Sequence, residues 1–342
     1  MDPEKMRESN SGEEFLCPKS TLDWDRHFVE KLGVNFKEED IYRIITSEWS
    51  LFHLDADDYC EIDRCVNACN LKLDYESLES LPPNIATPIE TFASSWEPTR
   101  QQLKVIKSEP LLEKFLLKLE EFNYCLAQII AKNKPNTSIS DWKYQVLFEK
   151  LLQLFGINTW TQPFIETKKA MIMGRTMSSK ADLLCCRTDP GLQRPVLCVC
   201  EVRRTCHEED FISPPKKPRV IYEQDAANNS KDDLSIWSKH IGDLFLYLDK
   251  SPRNEGILGI TLEKTWVRFT FLKVKGPCLE EIRNRPGNKP GPVNVEEEER
   301  PIFRFSRGYN YLKQDDRKTV FKALLLFRMM QVRFERGATA VL

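Results

Sequence analysis

Two stretches of this 342-residue sequence set acids and bases against apolar β-formers at spacings that suit metal chemistry. In the first, Lys180-Ala181-Asp182-Leu183-Leu184-Cys185-Cys186, a carboxylate opens an apolar run. In the second, Pro195-Val196-Leu197-Cys198-Val199-Cys200-Glu201-Val202-Arg203, an apolar run closes on an acid, a valine and a base. Thr188-Asp189-Pro190-Gly191 between them is a strong turn signal, so the two runs are expected as adjacent strands. Adjacent strands would bring Asp182 and Glu201 close together. Two hard oxygen donors on rigid strands suit Mg²⁺, which takes carboxylates, waters and substrate phosphate. Strand side chains alternate, so Glu201 and Arg203 are expected on one face, with Val202 turned into the core. A cation there can orient an attacking water or stabilise charge on a phosphate. The plainer reading keeps Asp182 as a strand opener and Glu201 with Arg203 as a surface pair.

An Asp on a hairpin strand, followed by Glu-x-base at the end of the next strand, resembles the PD-(D/E)XK nuclease superfamily, with its restriction-endonuclease-like fold. The resemblance covers about residues 138–275. It implies metal-dependent cleavage of phosphodiester bonds, with Asp182 and Glu201 as catalytic Mg²⁺ ligands and the Val202 carbonyl beside them. It also implies Glu149, on the preceding helix, as a further metal ligand, and Gln224 after the second strand. Arg203 stands where that family carries Lys. Arg stays charged and accepts protons poorly, whereas Lys can act as a base when desolvated. Lys180, two residues before Asp182 and on the same strand face, is the candidate replacement. Either Lys180 fills that role or the site has lost cleavage and keeps binding. The alternative to a nuclease is therefore an inactive nuclease-fold protein that binds nucleic acid or a protein partner.

Three further patterns carry charge. Ser213-Pro214-Pro215-Lys216-Lys217-Pro218-Arg219 presents Lys216, Lys217 and Arg219 between prolines, as a nuclear import signal or an ordinary solvated loop would. Toward the end of the chain, Arg307, Lys322, Arg328 and Arg333 are interleaved with aromatics and form a candidate nucleic-acid surface. The aromatics themselves, Phe305, Tyr309, Phe321 and Phe334, are expected in the core. His53, Cys60, Cys65 and Cys69 match no common zinc spacing. There is no Walker A loop, Rossmann glycine fingerprint, Gly-x-Ser-x-Gly elbow or His-Glu-x-x-His, which leaves nucleotide-driven, dehydrogenase and common hydrolase chemistries unsupported.

The elements that must position these residues follow from composition and periodicity. Apolar residues make up 41 % of the chain, enough for a sizeable core. Fifty Lys and Arg against 52 Asp and Glu give a formal net charge of −2, so any nucleic-acid contact must come from a local basic surface. Eleven scattered cysteines read as reduced thiols. No stretch reaches a membrane span, and the opening Met1-Asp2-Pro3-Glu4 is unlike a targeting signal, so the expected location is nuclear or cytoplasmic with no membrane partner.

The expected fold is α/β: a flexible tail over 1–20, a helical domain over 21–135, then an α/β domain over 138–342 with a central mixed sheet. Leu112, Phe115, Leu119, Phe122, Leu126 and Ile129 share one helix face, able to pair with a protein partner through 111–130 but better suited to internal packing. A helix is expected over 142–155, a polar insertion over 205–234, a helix over 236–248 and strands over 256–262 and 266–273. Residues 284–292 and Glu296–Glu299 read as a flexible acidic loop. A basic helix over 315–336, stopped by Gly337, ends the chain.

Overall fold

The structure, a computed structural model, describes residues 18–46, 56–68, 74–78, 109–131, 139–186, 195–202, 229–252, 255–286, 293 and 295–339. Its helices are α1 (Arg26–Lys31), α2 (Ile41–Thr46), α3 (Ala56–Ala68), α4 (Glu109–Ala131), α5 (Asp141–Leu154), α6 (Asn229–Tyr247), α7 (Gly276–Asn284) and α8 (Gln314–Thr339). The strands are β1 (Asn35–Glu38), β2 (Thr159–Thr161), β3 (Lys168–Ile172), β4 (Arg175–Ser179), β5 (Leu183–Cys186), β6 (Val196–Val202), β7 (Gly256–Glu263), β8 (Trp266–Lys273), β9 (Ile302–Phe305) and β10 (Tyr309–Asn310).

Eight strands form one mixed sheet in the order β1-β9-β8-β7-β6-β5-β2, with β10 pairing to β8. Two pairs are parallel, β1 with β9 and β6 with β7; the others are antiparallel. Parallel neighbours need a long crossover, and the segment between β6 and β7 contains α6. The central strands are apolar on both faces, as strands covered on both sides must be. Leu183, Cys200, Leu258, Ile260, Phe269 and Phe271 pack toward α2, α3, α4, α5 and α8. Leu184, Val199, Ile257, Leu272 and Phe303 pack toward α1, α6 and α7. The result is three layers with the sheet in the middle. The β3–β4 ribbon, closed by Met173 and Gly174 at positive φ, lies with the second layer.

Glycine allows the closest approach between layers. At Gly259 in β7, an added Cβ would lie 2.5 Å from His240 Nε2 of α6 and 2.3 Å from Thr270 Oγ1 of β8. His240 Nε2 and Thr270 Oγ1 are themselves hydrogen-bonded at 2.8 Å. At Gly242 on α6, a Cβ would meet the Trp24 ring at 2.8 Å and Thr21 Cγ2 at 2.9 Å. These two positions set how deeply α6 sits between the sheet and the 21–24 segment.

Several expectations change. The boundary expected at 135–138 does not divide the sheet, because β1 adds to β9 and α1 packs on α6. Lys19 and Ser20, placed in the flexible tail, are pinned instead: Ser178 N–H donates to the Lys19 carbonyl, and Ser20 bridges Ser178. Leu119, Phe122, Leu126 and Ile129 of α4 are buried in the core shared with α5, so they are not free for a partner helix. The side chains of Leu112 and Phe115 lie outside the described residues. Helix α6 begins at Asn229, inside the expected insertion. Helix α8 runs through Gly337 to Thr339, since a glycine near a helix end costs only about 1 kcal/mol. Glu297–Glu299 forms a 3₁₀ turn, tied by a 2.6 Å ion pair from Glu299 to Lys275. Among the described residues, no helix is long and apolar enough to cross a membrane.

Gly259→Ala is expected to destabilise the chain by roughly 1–3 kcal/mol, as overpacking does. Gly276→Ala, with only Glu255 Oε1 at 4.0 Å, should be close to neutral. Urea unfolding of the two variants against the parent chain checks the contrast.

Candidate functional site

The β5–β6 register pairs Leu183 with Cys200, so the next position outward sets Asp182 opposite Glu201. Directly opposed side chains on one face have Cβ atoms about 5 Å apart. Asp182, just before β5, is fixed at both ends. Its Oδ2 accepts from the Val202 N–H at 2.9 Å, and its carbonyl accepts from Gln145 Nε2 of α5 at 3.1 Å. Glu201 is 8 % exposed and points away from the apolar face that holds Val202 and Cys200, toward α6.

Helix α6 answers with a cation. Lys239 Nζ donates to Glu201 Oε2 and, at 3.3 Å, to Oδ2 of Asp243 one turn along. Asp243 is fully buried, and its Oδ1 accepts from Thr21 Oγ1 at 2.6 Å and Ser179 Oγ at 2.7 Å. Four separate pieces of chain therefore converge: the 21–24 segment, β4, the β5–β6 pair and α6.

One ammonium among three carboxylates leaves a formal charge of −2 when all four groups are ionised. Burial pushes the Glu201 carboxyl well above its ordinary 4.5, and the nearby Asp182 and Asp243 charges add to that rise, against the opposing pull of Lys239. Burial pulls the Lys239 ammonium down, but Asp243, Glu201 and Asp182 together more than offset this and raise it to about 12. The pair is consistent: Lys239 is shared among several acids and holds its proton, while Glu201 receives only part of one cation. Lys239 keeps 23 % of its side chain exposed, so the cluster is not sealed from solvent.

The other sequence-derived candidates sit elsewhere. Glu149 on α5 accepts from Gln153 Nε2 at 3.1 Å and from Thr159 Oγ1 at 3.4 Å. The α5 residue that reaches Asp182 is Gln145, one turn earlier. Lys180 is exposed, and its neighbour Ser179 is the residue turned inward to Asp243. Arg203, Gln224, Lys216, Lys217 and Arg219 lie outside the described residues, as do His53 and Cys69. Of the basic candidates, Arg307 pairs with Asp316 at 3.1 Å, Lys322 with Asp63 at 2.6 Å, and Arg333 with Asp58; Arg328 donates to Gln331 at 3.2 Å. Lys322 and Arg333 belong to α8, which covers the face of the sheet away from Glu201. Those charges fasten α8 to α3.

Among the described residues, one group of three metal-type ligands lies within 4.8 Å of one another: Cys185, Cys198 and Cys200. Burial pushes the Cys198 and Cys200 thiols well above 9.0, so they stay protonated. They belong to the apolar core on the side opposite Glu201.

No protein-family model, curated protein or solved structure matches this chain. Residue chemistry alone must carry the functional reading.

Sequence reasoning missed Lys239 and Asp243. Their signal is a Lys and an Asp four residues apart on a helix otherwise buried through Trp237, Ile241, Leu244 and Phe245. Because the folded chain binds a proton on Glu201 more tightly than the unfolded chain does, this group's contribution is full below about pH 4.5 and is lost as pH rises through its folded-state value. Metal-free protein should therefore lose unfolding free energy as pH rises above about 4.5. Glu201→Gln should remove that part of the slope, and urea melts of both proteins across this range measure it.

Proposed function

We propose that this is a PD-(D/E)XK-type, Mg²⁺-dependent nuclease-like protein that hydrolyses phosphodiester bonds of DNA or RNA. The observation that carries the reading is the convergence of the Asp182, Glu201 and Asp243 carboxylates on the single ammonium of Lys239. A partly buried site with excess negative charge, built from hard oxygen donors, fits a divalent cation. Asp182 and Glu201 are the residues that would hold it. When bound, Mg²⁺ supplies an activated water and neutralises charge on the phosphate.

The chain's own groups then divide the remaining work. Lys239 stays charged, so it donates hydrogen bonds to a phosphate oxygen or the attacking water and does not act as a base. It takes the cationic role that Arg203 or Lys180 was expected to fill. Asp243, anchored by Thr21 and Ser179, fixes where the ammonium sits. The Val202 N–H holds the Asp182 carboxylate in one orientation.

A second reading has its own support. Lys239 contacts Glu201 Oε2 directly, one of the two oxygens through which Glu201 could hold a metal. A chain in which that ion pair is permanent would be an inactive nuclease-fold protein that binds nucleic acid or a protein partner.

Plasmid nicking by the full chain, with Mg²⁺ and with EDTA, separates the two. The hydrolytic reading expects Mg²⁺-dependent cleavage that falls about a hundredfold or more in Asp182→Ala, Glu201→Gln and Lys239→Met. Cleavage that survives Asp182→Ala and Glu201→Gln removes the metal mechanism. Absent cleavage, with salt-sensitive retention of nucleic acid, selects the second reading.

A further inference from the structure

The Glu201 row of the sheet continues across the neighbouring strands. Glu201 pairs with Thr261 on β7, and Thr261 pairs with Arg268 on β8. Lateral neighbours in a sheet point to the same face, so Arg268 projects on the α6 side, two strands from Glu201. Two strand spacings amount to about 10 Å. The Arg268 guanidinium confirms the face, lying 5.6 Å from the Trp237 ring of α6.

Arg268 differs from the other basic candidates. Arg307, Lys322 and Arg333 all meet carboxylates, whereas Arg268 forms no ion pair among the described residues. It is half-buried, which makes its charge worth more to an incoming anion than a fully solvated arginine would be. Two residues back along β8, on the same face, Trp266 is 39 % exposed. Gly308 lies against both: a Cβ there would be 3.3 Å from Trp266 Cε3 and 3.4 Å from Arg268 Nε. At that point the chain runs past the indole and the guanidinium as bare backbone, and any larger residue would crowd both.

An exposed indole beside an unpaired guanidinium is the combination that binds a single strand, the ring stacking on a base and the cation meeting a phosphate. Duplex recognition would call for a broad basic surface. Of the α8 bases, Lys322 and Arg333 are already paired with acids. From this we infer that Arg268 and Trp266 form a subsite for single-stranded or locally unpaired nucleic acid, holding the phosphate and base next to the bond presented to Asp182 and Glu201. The inference rests on the nucleic-acid reading above and adds strand type and register to it. Negative charge at one end of the row and an unpaired cation at the other orient the strand along it.

The test is fluorescence anisotropy of a labelled oligothymidylate of about 20 nucleotides on the full chain, in EDTA, across a salt series. Arg268→Gln should weaken binding about tenfold and reduce the log–log salt slope by about 0.7, the value for one single-strand phosphate contact. Arg268→Lys should restore most of the affinity and the slope. Trp266→Ala should cost roughly tenfold with the slope unchanged, since stacking carries no counterion term. Thermal melts matching the parent chain exclude a folding defect. The inference is overturned if the parent chain does not bind the oligonucleotide, if Arg268→Gln binds as the parent does, or if the matching duplex binds more tightly. Asp182→Ala keeps the two claims apart. Binding retained there without any cleavage by the parent leaves the subsite standing and removes the nuclease. Normal cleavage of single strands by Arg268→Gln does the reverse.

Discussion

One ammonium placed among three carboxylates is the interaction on which the rest of the molecule converges. Removing charges from water costs several kcal/mol per ion unless each finds partners, so a cluster of this kind persists only where its geometry is enforced. Here every member is tied to a different element. Thr21 and Ser179 hold Asp243 from the 21–24 segment and β4, Val202 holds Asp182 across the β5–β6 pair, and Lys239 links Asp243 to Glu201. Undoing any one of these contacts leaves a buried or half-buried carboxylate short of a partner. The candidate site and the tertiary closure of this half of the molecule are thus the same set of bonds.

The scaffold exists to seat α6. The parallel β6–β7 pair leaves a flat apolar surface, and Gly259 removes the side chain that would hold the helix away from it. His240 then reaches Thr270 across that gap, and its neighbour Lys239 is carried to Glu201. Strand β6 serves two chemistries because its side chains alternate. Cys200 and Val202 enter the core beneath α5 and α8, while Val199 and Glu201 face α6. The thiols are small and apolar, which suits a three-cysteine group to a buried position in the sheet.

Much of this central unit was legible in the sequence, for identifiable reasons. Alternation and the Thr188–Gly191 turn placed Asp182 and Glu201 on neighbouring strands, and the register sets them opposite each other. The long helices were legible from periods of three and four. The edge strands were not. Strands β1, β2 and β10 have only 4, 3 and 2 residues, too short to show a period. Glu149 was expected near Asp182 from its place on the preceding helix; the residue of that helix that contacts Asp182 is Gln145, which donates to its backbone carbonyl. Lys239 lies 38 residues after Glu201, and nothing local to β6 announces it. The basic residues of α8 show the limit most clearly. Counting charges cannot reveal that Asp58 and Asp63 of α3 stand opposite Arg333 and Lys322.

That pairing changes how a net charge of −2 should be read. The charges of this chain are sorted by layer as well as summed. On the α8 side, Lys322 and Arg333 pair with Asp63 and Asp58 of α3, which fastens the helical layer to itself. On the α6 side the balance is left open in both directions, with too few cations at Glu201 and no carboxylate beside Arg268 among the described residues. Electrostatic frustration confined to one row of one face is costly to folding and is not needed to hold the layers together, since apolar burial does that on both sides of the sheet. Under the proposed function this row has a use, since carboxylates at one position and a guanidinium without an ion pair among the described residues two strands away would suit a ligand carrying both signs. Because Lys239 and Asp243 come from a helix while Glu201 comes from a strand and Asp182 from the residue before one, this arrangement exists only once α6 is docked, so the charge pattern is made by the same step that completes the fold.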